Sequence, residues 1–597
     1  MGCLIFSAMK KIYFVSIVAA LVSIALSSCN QQAIENSSEP FVEDGKQIVE
    51  IITAGVNVSG PEVRSEIGST GTFTWNEGDN VAYHVAGIST HEYLKTTSDG
   101  SGENGKGAYN LTGSNTMASF LCAWTNSTTE RDAFAVYPDS FVEADAVNYG
   151  QTGVALDMVF PSSYTYAECS GDKTPCPMIA TNTTGVLSWD FKQVCAILRV
   201  VVNNVPPGTD NLTITVAGKD MHGDFSIASP VTPGTSVVEA KDGSNSTISI
   251  TGIPESDVYR DGITVNLPLP VGTYDTNITV TCYDDATIKM IQTLPLSYTA
   301  ARAHGKKLKM NLAGYTVNST GLQVGFAPGN LQAKVSSEKF SKTVWKADAW
   351  RFASTQYEFL GAEGNSTFAV GAWIDLFGFN GESATTTNYG VCFTEGPNAN
   401  AYGGTLSELL KSDWGTLEIG PYPANFWRAS TATSQSKGEL HYMLATRSAS
   451  TISGTANARY AKGSVNGING LILFPDIYTH PDGVADPTNI NSETADFSGN
   501  DYSLSDWTKM EQLGCVFLPA AGKRAQKVVS RYSGSGDSNI TGWYRINQSA
   551  PKSTENAYRL VFTGGINDGV NDKDPQLDTS TQDRSDGMSV RLQRDLP

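Results

Sequence analysis

Hydrophobic and polar residues alternate along much of the first half of the chain. The alternation begins near Ile48 and is clear over Leu212–Val216 and Ile278–Cys282. Successive side chains of a strand point to opposite faces of a sheet, so a period of two predicts strands with one buried face. Almost no stretch of ten residues between positions 47 and 313 has helical periodicity. We therefore expect a mainly β fold, with β-sandwiches in this half.

The pattern changes after Leu312. A strand rich in lysine ends there, and residues 314–320 are predicted to be a linker. Aromatic residues become frequent beyond it, because seven of the ten tryptophans follow position 321. Residues 321–597 are therefore predicted to form a separate domain with its own core.

Two short helices are predicted in this second half, which makes it an α+β domain. Thr405–Glu408 and Ser503–Asp506 have the spacing of capping boxes, in which side chains satisfy the free N–H groups of a first turn. After Ser503 the pattern places Trp507 and Met510 on an inward face. Gly514 then predicts the end of the helix.

The N-terminal residues 1–29 are typical of a lipoprotein signal peptide. Lys10 and Lys11 precede an apolar run, Ile12–Leu26, which is shorter than the roughly 20 residues of a membrane-spanning helix. Leu26-Ser27-Ser28-Cys29 then has the pattern of a lipobox, so we expect Cys29 to carry the lipid. Met9 is an alternative start to Met1. The other interpretation is a secretory signal with a chance cysteine at position 29.

Residues 30–46 are rich in Gln, Ser, Asn and Glu, and are predicted to be a flexible tether. A lipid at Cys29 would place the chain on the outer membrane, exposed at the cell surface. The 41 Lys and Arg residues are outnumbered by 60 Asp and Glu, which gives a net charge of −19. This charge is of the wrong sign for a surface that follows phosphates, so nucleic acid is not an expected partner.

The cysteines beyond position 29 number seven, and their irregular spacing fits neither a disulfide framework nor a zinc site. Most are expected to be small buried residues. Cys169 and Cys176 flank a short polar loop, and they are the one pair for which a local disulfide is a reasonable hypothesis.

The first half resembles the Bacteroidetes fimbrillin family. The likeness rests on five segments in the family's order, which are Val63–Ser65, Phe73–Tyr83, Ala135–Pro138, Pro177–Ala180 and Phe191–Val200. The sequence departs from the family at Gln193, where histidine is usual. The resemblance implies two transthyretin-like β-sandwiches, which we place at residues 47–190 and 191–313.

The same resemblance implies a role for Arg64. In the family, a protease cuts after an arginine and releases the first strand, and a strand of the next subunit fills the vacated groove. Here Gln47–Val58 would be the released strand, and other fimbrial subunits would be the partners. The alternative is that Arg64 is an exposed loop residue and the strand stays in place.

The second half resembles a C-terminal module of Bacteroidetes surface lipoproteins that is akin to the Fibrobacter major paralogous domain, with a C-type-lectin-like fold. The matching segments are Val324–Gln332, Trp350–Ala353, Gln356–Tyr357, Trp373–Gly378, Glu439–Leu444, Arg459–Ala461, Leu518–Gly522 and Ser589–Arg591. Leu440 stands where relatives commonly have tryptophan, and the segment at Trp427 carries a longer insertion. Because of these departures, a ligand site present in relatives need not be present in this chain.

No pattern of catalytic residues is present, so an enzyme is not expected. The six histidines lie in no metal-binding frame, and there is no nucleophile elbow or phosphate loop. Four aspartates between positions 568 and 578 could hold calcium, but their spacing matches no EF-hand, and a solvated acidic loop is the preferred interpretation. No cofactor and no metal are therefore predicted.

Sugar binding is the chemistry that the aromatic residues suggest. Rings that stack on a pyranose, with amides and carboxylates nearby, would be supplied by Trp373, Tyr422, Trp427 and Trp543. The alternative is that these rings fill the core of a domain with few strands.

The two resemblances and these aromatic residues together predict a fimbrial tip or accessory subunit that acts as an adhesin. The alternative function is a glycan-binding surface lipoprotein outside any pilus.

The lipid anchor gives a direct prediction. Replacing Cys29 by alanine should remove the only thiol at the lipobox, so labelled palmitate should enter the wild-type chain and not the Cys29→Ala variant. The variant should also be released from the cell. Label in the variant would show that the lipobox assignment is wrong.

Overall fold

A computed structural model gives the fold of the chain. Of the 597 residues it describes 41–43, 47–56, 75–85, 94–96, 106–113, 117–124, 133–142, 149–150, 153–171, 173, 175, 177–182, 188–228, 238–240, 245–258, 262–302, 304–339, 345–366, 369–378, 418–419, 422–423, 438–525, 528–549, 557–564, 576–578 and 586–597. Helices are few and short in these ranges, and the predicted mainly β fold is confirmed.

The strands of the first half are numbered in chain order. The first twelve are β1 (Phe41–Glu43), β2 (Gln47–Val56), β3 (Ala82–Val85), β4 (Leu94–Lys95), β5 (Lys106–Thr112), β6 (Met117–Trp124), β7 (Ala133–Tyr137), β8 (Tyr149–Gly150), β9 (Gly153–Phe160), β10 (Ser163–Thr165), β11 (Met178–Asn182) and β12 (Ser188–Gln193). The next nine are β13 (Ala196–Asn203), β14 (Asn211–Val216), β15 (Gly223–Ala228), β16 (Val238–Ala240), β17 (Thr247–Thr251), β18 (Ile263–Leu269), β19 (Gly272–Asp284), β20 (Thr287–Ala300) and β21 (Gly305–Asn311). Helices α1 (Tyr166–Cys169) and α2 (Glu255–Val258) and a 3-10 turn at Asp139–Phe141 accompany them.

The second half consists of shorter strands. They are β22 (Tyr315–Thr316), β23 (Gln323–Phe326), β24 (Leu331–Lys339), β25 (Trp345–Phe352), β26 (Trp373–Ile374), β27 (Glu418–Ile419), β28 (Tyr422–Pro423), β29 (Tyr460–Val465), β30 (Ile468–Leu473), β31 (Asp501–Tyr502), β32 (Val516–Pro519), β33 (Lys523–Ala525), β34 (Val528–Ser530), β35 (Thr541–Ser549), β36 (Ala557–Thr563), β37 (Gln576–Asp578) and β38 (Gln593–Leu596). The helices are α3 (Gly361–Asn365), α4 (Gly438–His441), which continues as a π-turn over Tyr442–Thr446, and α5 (Leu504–Gln512).

The first unit is one continuous sheet around a tryptophan. Its strand order is β4-β3-β7-β11-β12-β2-β6-β5, with β1 paired to β2. Trp75 is fully buried, and its ring lies 4.9 to 5.4 Å from the rings of Tyr137, Phe120 and Phe191. Because these rings come from both halves of the strand order, the sheet must curve around them. The aromatic cluster is therefore the centre of this unit.

The turn after Trp75 explains the glycine and aspartate that follow it. Gly78 has a φ of 86°, which glycine adopts without steric cost. The Asp79 carboxylate accepts a hydrogen bond of 2.8 Å from the backbone N–H of Asn76 and closes the turn. These residues are structural, because they aim Trp75 into the core.

The second unit is a sandwich with a large aliphatic core. One layer has the strand order β10-β17-β14-β19-β20, and the facing layer has the order β18-β13-β21. The predicted alternation is confirmed in β14, where every second side chain is buried. Leu212 and Ile214 of one layer share a core cluster with Val200 and Val265 of the other.

The chain enters this second unit earlier than the predicted boundary at residues 190 and 191. β9 pairs antiparallel with β15, and β10 pairs in parallel with β17, so residues 153–165 belong to the second unit. Conversely, β12 runs past the boundary to Gln193 and remains in the first sheet. The boundary between the two units depends on pairing between strands that are far apart in sequence. The local pattern of hydrophobic and polar residues does not predict which strands pair.

The described part of the second half contains several small sheets, and α5 is its longest helix. The hydroxyl of Ser503 caps α5 by accepting a hydrogen bond from the N–H of Asp506. Trp507 and Met510 are buried, and Gly514 follows with a φ of 91°. This predicted helix is confirmed. The helix predicted at Thr405–Glu408 lies outside the described residues.

The predicted linker at 314–320 is wrong, because its first residues are core. β22 pairs with β23, and Tyr315 and Val317 are almost fully buried. The Tyr315 hydroxyl donates a hydrogen bond shared between the carbonyl oxygens of Gly514, at 2.8 Å, and Leu473, at 3.1 Å. The second half therefore begins before Tyr315, and a fragment starting at residue 321 would lack part of its own core.

Two smaller predictions are also corrected. Phe41–Glu43, within the predicted tether 30–46, forms β1 and pairs with Gln47–Val49, since its apolar residues can join a sheet. Cys169 is a free, buried thiol whose Sγ donates to the Thr165 carbonyl at 3.4 Å, so the local disulfide with Cys176 is not formed. Cys176 itself lies outside the described residues.

The burial of Tyr315 can be tested by substitution. Tyr315→Phe should lower the free energy of unfolding by about 1–2 kcal/mol, because two backbone carbonyls lose a donor. Tyr315→Ala should cost about 3–5 kcal/mol through the cavity that it leaves. Ser319 is exposed in the same segment, and Ser319→Ala should change stability by less than about 0.5 kcal/mol. Chemical denaturation measures all three, and equal, negligible effects would restore the linker interpretation.

Candidate functional site

The strand β2 is the structural feature with the clearest functional meaning. It lies in the middle of the first sheet, antiparallel to β6 from Ile48 opposite Trp124 to Gly55 opposite Met117. Its other edge pairs in parallel with β12, from Thr53 opposite Ser188 to Val56 opposite Phe191. Removing β2 would thus leave two strands, β6 and β12, with unpaired backbone N–H and C=O groups facing each other.

Large rings belong to the core that β2 helps to close. Phe120 of β6 and both Trp189 and Phe191 of β12 are at most 1% exposed. The ring of Trp189 lies 6.1 Å from that of Phe120 and 6.0 Å from that of Phe191. Ala54 of β2 is buried in this same cluster. Loss of β2 would open an aromatic-lined groove to water, which is unfavourable until another apolar strand fills it.

The pairing of β1 with β2 determines which residues would be released together with β2. β1 occupies the β2 edge at Gln47–Val49, next to the part that β12 occupies at Thr53–Val56. Because β1 pairs with β2 and with no other strand of the described residues, the two would leave together as a hairpin. Arg64 and Cys29, the predicted sites of cleavage and lipidation, lie outside the described residues.

Trp373 is a half-buried ring at the surface of the second half. The guanidinium carbon of the exposed Arg351 lies 4.0 Å from the ring centroid, a cation–π contact. Arg351 Nε also donates to Gln332 Oε1 at 2.7 Å, which holds the guanidinium in place. One face of Trp373 is therefore already covered, and a sugar could stack there only by displacing Arg351.

Trp543, the second described ring of the predicted sugar site, is a core residue. It is 3% exposed and packs in a small cluster with Val561 and Met588. Lys523 Nζ, 4.5 Å from the ring centroid, lies over it as well. The prediction that Trp543 binds a ligand is thus wrong, since the ring already has protein on its surface. Tyr422 belongs to the β27–β28 hairpin, and its side chain, like the whole of Trp427, lies outside the description.

Asp375, near Trp373 in sequence, has a structural role. It is fully buried and accepts hydrogen bonds of 2.7 Å from the Leu360 N–H and from Asn365 Nδ2. Burial raises the pKa of this carboxyl to about 6. All of these contacts bring α3 against β26, so Asp375 fixes the backbone beneath the Trp373 ring and does not reach the surface.

Other motif residues of the second half also meet in the interior. Gln356 Oε1 accepts hydrogen bonds from Arg591 Nη2, at 2.8 Å, and from the Phe517 N–H, at 2.7 Å. Arg591 Nη2 donates further to the Phe517 carbonyl at 2.7 Å. Segments more than 200 residues apart are joined in this way, so these three residues hold the interior of the second half together.

Cys515 is a buried residue of the core. Burial raises the pKa of the Cys515 thiol well above its ordinary value, as expected for a core residue. Within the described residues, no grouping of His, Cys, Asp and Glu could hold a metal ion. Asp568, Asp572 and Asp574 of the acidic loop lie outside them. The described helices include none that is both long and apolar enough to cross a bilayer.

Comparison with known proteins gives distant structural likenesses. No protein-family model matches the chain, and no curated protein matches it. A candidate cell adhesion protein from Bacteroides ovatus is 17% identical, with 44% of this chain and 91% of that chain covered and a TM-score of 0.26. A second, from Bacteroides uniformis, is 14% identical, with coverages of 46% and 95% and a TM-score of 0.25.

A fimbrial protein is also among the similar structures. It is the tip fimbrial protein Mfa3 from Porphyromonas gingivalis with a C-terminal truncation, which is 11% identical, with coverages of 44% and 94% and a TM-score of 0.19. TM-scores this far below 0.5 establish neither a shared fold nor a shared function. What stands for this chain is its own mainly β architecture and the central position of β2.

The two described tryptophans make a matched test. Trp543→Ala should lower the free energy of unfolding by about 3–5 kcal/mol, because it leaves a large cavity. Trp373→Ala should cost only about 1 kcal/mol, since it removes a half-buried ring and one surface cation–π contact. Denaturation followed by circular dichroism gives both values. Equal losses would mean that Trp373 is core as well and has no face to offer a ligand.

Proposed function

We propose that this protein is a surface-exposed lipoprotein that acts as a fimbrial tip or accessory subunit and as an adhesin, assembled by β-strand addition. The single observation that carries the proposal is the place of β2, an N-terminal strand held between β12 and β6 in the middle of a sheet. A role in cell adhesion or at a fimbrial tip is named for the compared structures; for this chain it rests on the strand order and on the sequence resemblance.

The chemistry of assembly follows from that position. Arg64 lies between β2 and Trp75, so cleavage after it would separate the β1–β2 hairpin and the lipid at Cys29 from the rest of the chain. The open groove would offer two rows of backbone donors and acceptors above an aromatic floor. A strand from another subunit would satisfy both, with backbone hydrogen bonds giving affinity and side chains giving selectivity.

The second half would be the adhesive part, and its attachment to the second unit is firm. Arg594 donates from Nε and Nη2 to Asn204 Oδ1, at 3.1 and 3.0 Å. Asn204 Nδ2 in turn donates to the Leu312 carbonyl at 2.7 Å. On the other side, Gln512 Nε2 donates to the Ile288 carbonyl at 3.0 Å. An adhesin docked in this way transmits a pulling force through several contacts and not through one peptide segment.

The strand β38 completes a small sheet of its own domain. β38 pairs antiparallel with β23 from Gln323 opposite Leu596 to Phe326 opposite Gln593. Gln593 is fully buried and Leu596 is 5% exposed. This strand is thus occupied within its own module and is not available to complete another subunit.

A glycan-binding lipoprotein outside any pilus is the second candidate. One observation that favours it is that the first sheet is complete with β2 in place. Another is that the half-buried ring of Trp373 lies at the surface of the second half. In that case the β1–β2 hairpin would stay and link the first unit to the lipid.

A disulfide lock distinguishes the two candidates. Ala54 of β2 and Ala118 of β6 are directly opposite and both buried, and such pairs have Cα atoms about 4.5–5.5 Å apart, within disulfide range. The double variant Ala54→Cys/Ala118→Cys should form a cross-link that retains β2. On cells it should be absent from high-molecular-mass fimbrial assemblies, whereas each single variant should assemble as wild type does.

Processing is checked in the same cells by N-terminal sequencing of the assembled chain. A start just after Arg64 is expected, and Arg64→Ala should abolish it together with assembly. Assembly of the locked double variant at the wild-type level, or an assembled chain that begins at Cys29, would rule out strand release and leave the non-pilus candidate.

A further inference from the structure

An open cleft of about 410 Å³ lies in the second half, away from Trp373 and from β2. Three segments form its walls: the β29–β30 hairpin, the end of the loop that leads into β31, and the chain around β35 and β36. The lining residues are Ser464, Asn469, Asp496, Phe497, Ser498, Asp501, Ser538, Ile540 and Gly564. Hydroxyl, amide and carboxylate groups thus converge with two apolar side chains in one concavity.

The loop that supplies Asp496, Phe497 and Ser498 is long and fixed. It connects β30, which ends at Leu473, to β31, which begins at Asp501, without any helix or strand. The buried Asn500 donates from Nδ2 to the carbonyls of Lys462, at 2.8 Å, and Thr488, at 3.0 Å, and its Oδ1 accepts from the Thr488 N–H at 2.7 Å. Loops of this length inside compact domains usually carry function.

A buried lysine joins the loop to the opposite wall. Lys462 is 2% exposed, and its Nζ donates to the Thr563 carbonyl at 3.0 Å and to the Glu493 carbonyl at 3.4 Å. Thr563 ends β36 and precedes the lining residue Gly564, while Glu493 lies in the loop three residues before Asp496. The two walls are therefore held at a set separation, and the cleft exists before any ligand arrives.

Two carboxylates are oriented at the cleft. Asp496 Oδ1 accepts from the Ser498 N–H at 3.0 Å and from the Ser498 hydroxyl at 2.6 Å, and these bonds lower the pKa of Asp496. Asp501 Oδ1 accepts from the hydroxyl of Ser464. Each carboxylate thus uses Oδ1 to fix its orientation and keeps Oδ2 as an acceptor for a ligand hydroxyl or ammonium group.

The apolar part of the cleft is a phenyl ring seated on a glycine. Phe497 is 7% exposed, and its ring packs edge-on against Phe562 with centroids 6.4 Å apart. A Cβ on Gly564 would come within 2.7 Å of the Phe497 ring, so only glycine lets the ring lie this close. Ile540, half-buried, is the second apolar lining residue. Apolar surface beside oriented oxygen acceptors suits the two sides of a sugar ring.

We propose that this cleft is the glycan-binding site of the protein, and that its ligand is a neutral or amino sugar held by its hydroxyl groups. The inference deepens the proposed adhesin role and rests on it only for the surface location. Two carboxylates line the cleft, and its described lining residues include no lysine or arginine. This charge selects against sialylated and sulfated glycans, because like charges repel in a partly desolvated site.

Binding is measured with the full chain on an array that contains neutral, amino-sugar, sialylated and sulfated glycans, from host mucins and from bacterial and plant polysaccharides. The neutral or amino-sugar spots should retain the protein, and the acidic spots should not. The source of the retained glycans separates a host receptor from a polysaccharide of other cells. Because one shallow site gives weak affinity, the protein is presented in multivalent form.

Three variants then locate the site. Asp496→Asn and Asp501→Asn should each weaken binding to the retained glycan at least tenfold, without a change in melting temperature, since both side chains are exposed. Asp482→Asn, an exposed aspartate of the same loop outside the lining, is the matched control and should bind as wild type does. Trp373→Ala should also bind normally.

The outcomes separate this inference from the proposed function. Retention of only acidic glycans, retention of none, or equal binding by the wild type and the two cleft variants would overturn the cleft assignment. Loss of binding in Trp373→Ala alone would move the site to that ring. None of these results bears on strand release, which the disulfide lock tests separately by assembly.

Discussion

Ten residues in the middle of the first sheet hold that unit together. β2 supplies the backbone hydrogen bonds of β6 along one edge and of β12 along the other. A buried N–H or C=O group without a partner costs about 1–3 kcal/mol, so the sheet is stable only while some strand occupies this position. The constraint does not specify which chain supplies the strand. The proposed assembly by strand addition would use that freedom.

A second constraint operates where the second unit meets the last domain. Arg447 is buried, and its Nη1 lies 2.7 Å from Asp476 Oδ1. Burial lowers the pKa of Arg447, while the Asp476 charge opposes that effect. Asp476 Oδ2 also accepts hydrogen bonds of 2.8 Å from the Thr316 N–H and from Gln323 Nε2. Removing either partner of such a pair would leave a buried charge, which typically costs about 3–5 kcal/mol. The segment that enters the last domain is thus part of its interior.

Burial likewise separates the core aromatic residues from those at the surface. Trp543 and Trp373 occur in similar sequence surroundings, and each has a cation over its ring. Trp543 is enclosed by Val561 and Met588, whereas Trp373 lies at the surface beside an exposed arginine. No tryptophan is among the described lining residues of the polar cleft at Asp496 and Asp501. Serine, asparagine and aspartate are common in loops, so no sequence pattern distinguishes these residues from ordinary turn residues.

The sequence alone determined the features that depend on neighbouring residues. A period of two marked β14, and the Ser503 cap with Gly514 marked α5, because alternation and capping hydrogen bonds involve residues only a few positions apart. The lipobox at Cys29 is also a local pattern, and lipidation there stays a prediction. Tertiary structure alone decided that residues 153–165 join the second unit, that Tyr315 is core, and that β2 lies between β12 and β6. These outcomes depend on strand partners and packing contacts distant in sequence, and a linear pattern shows that a side chain will be buried without showing what will bury it.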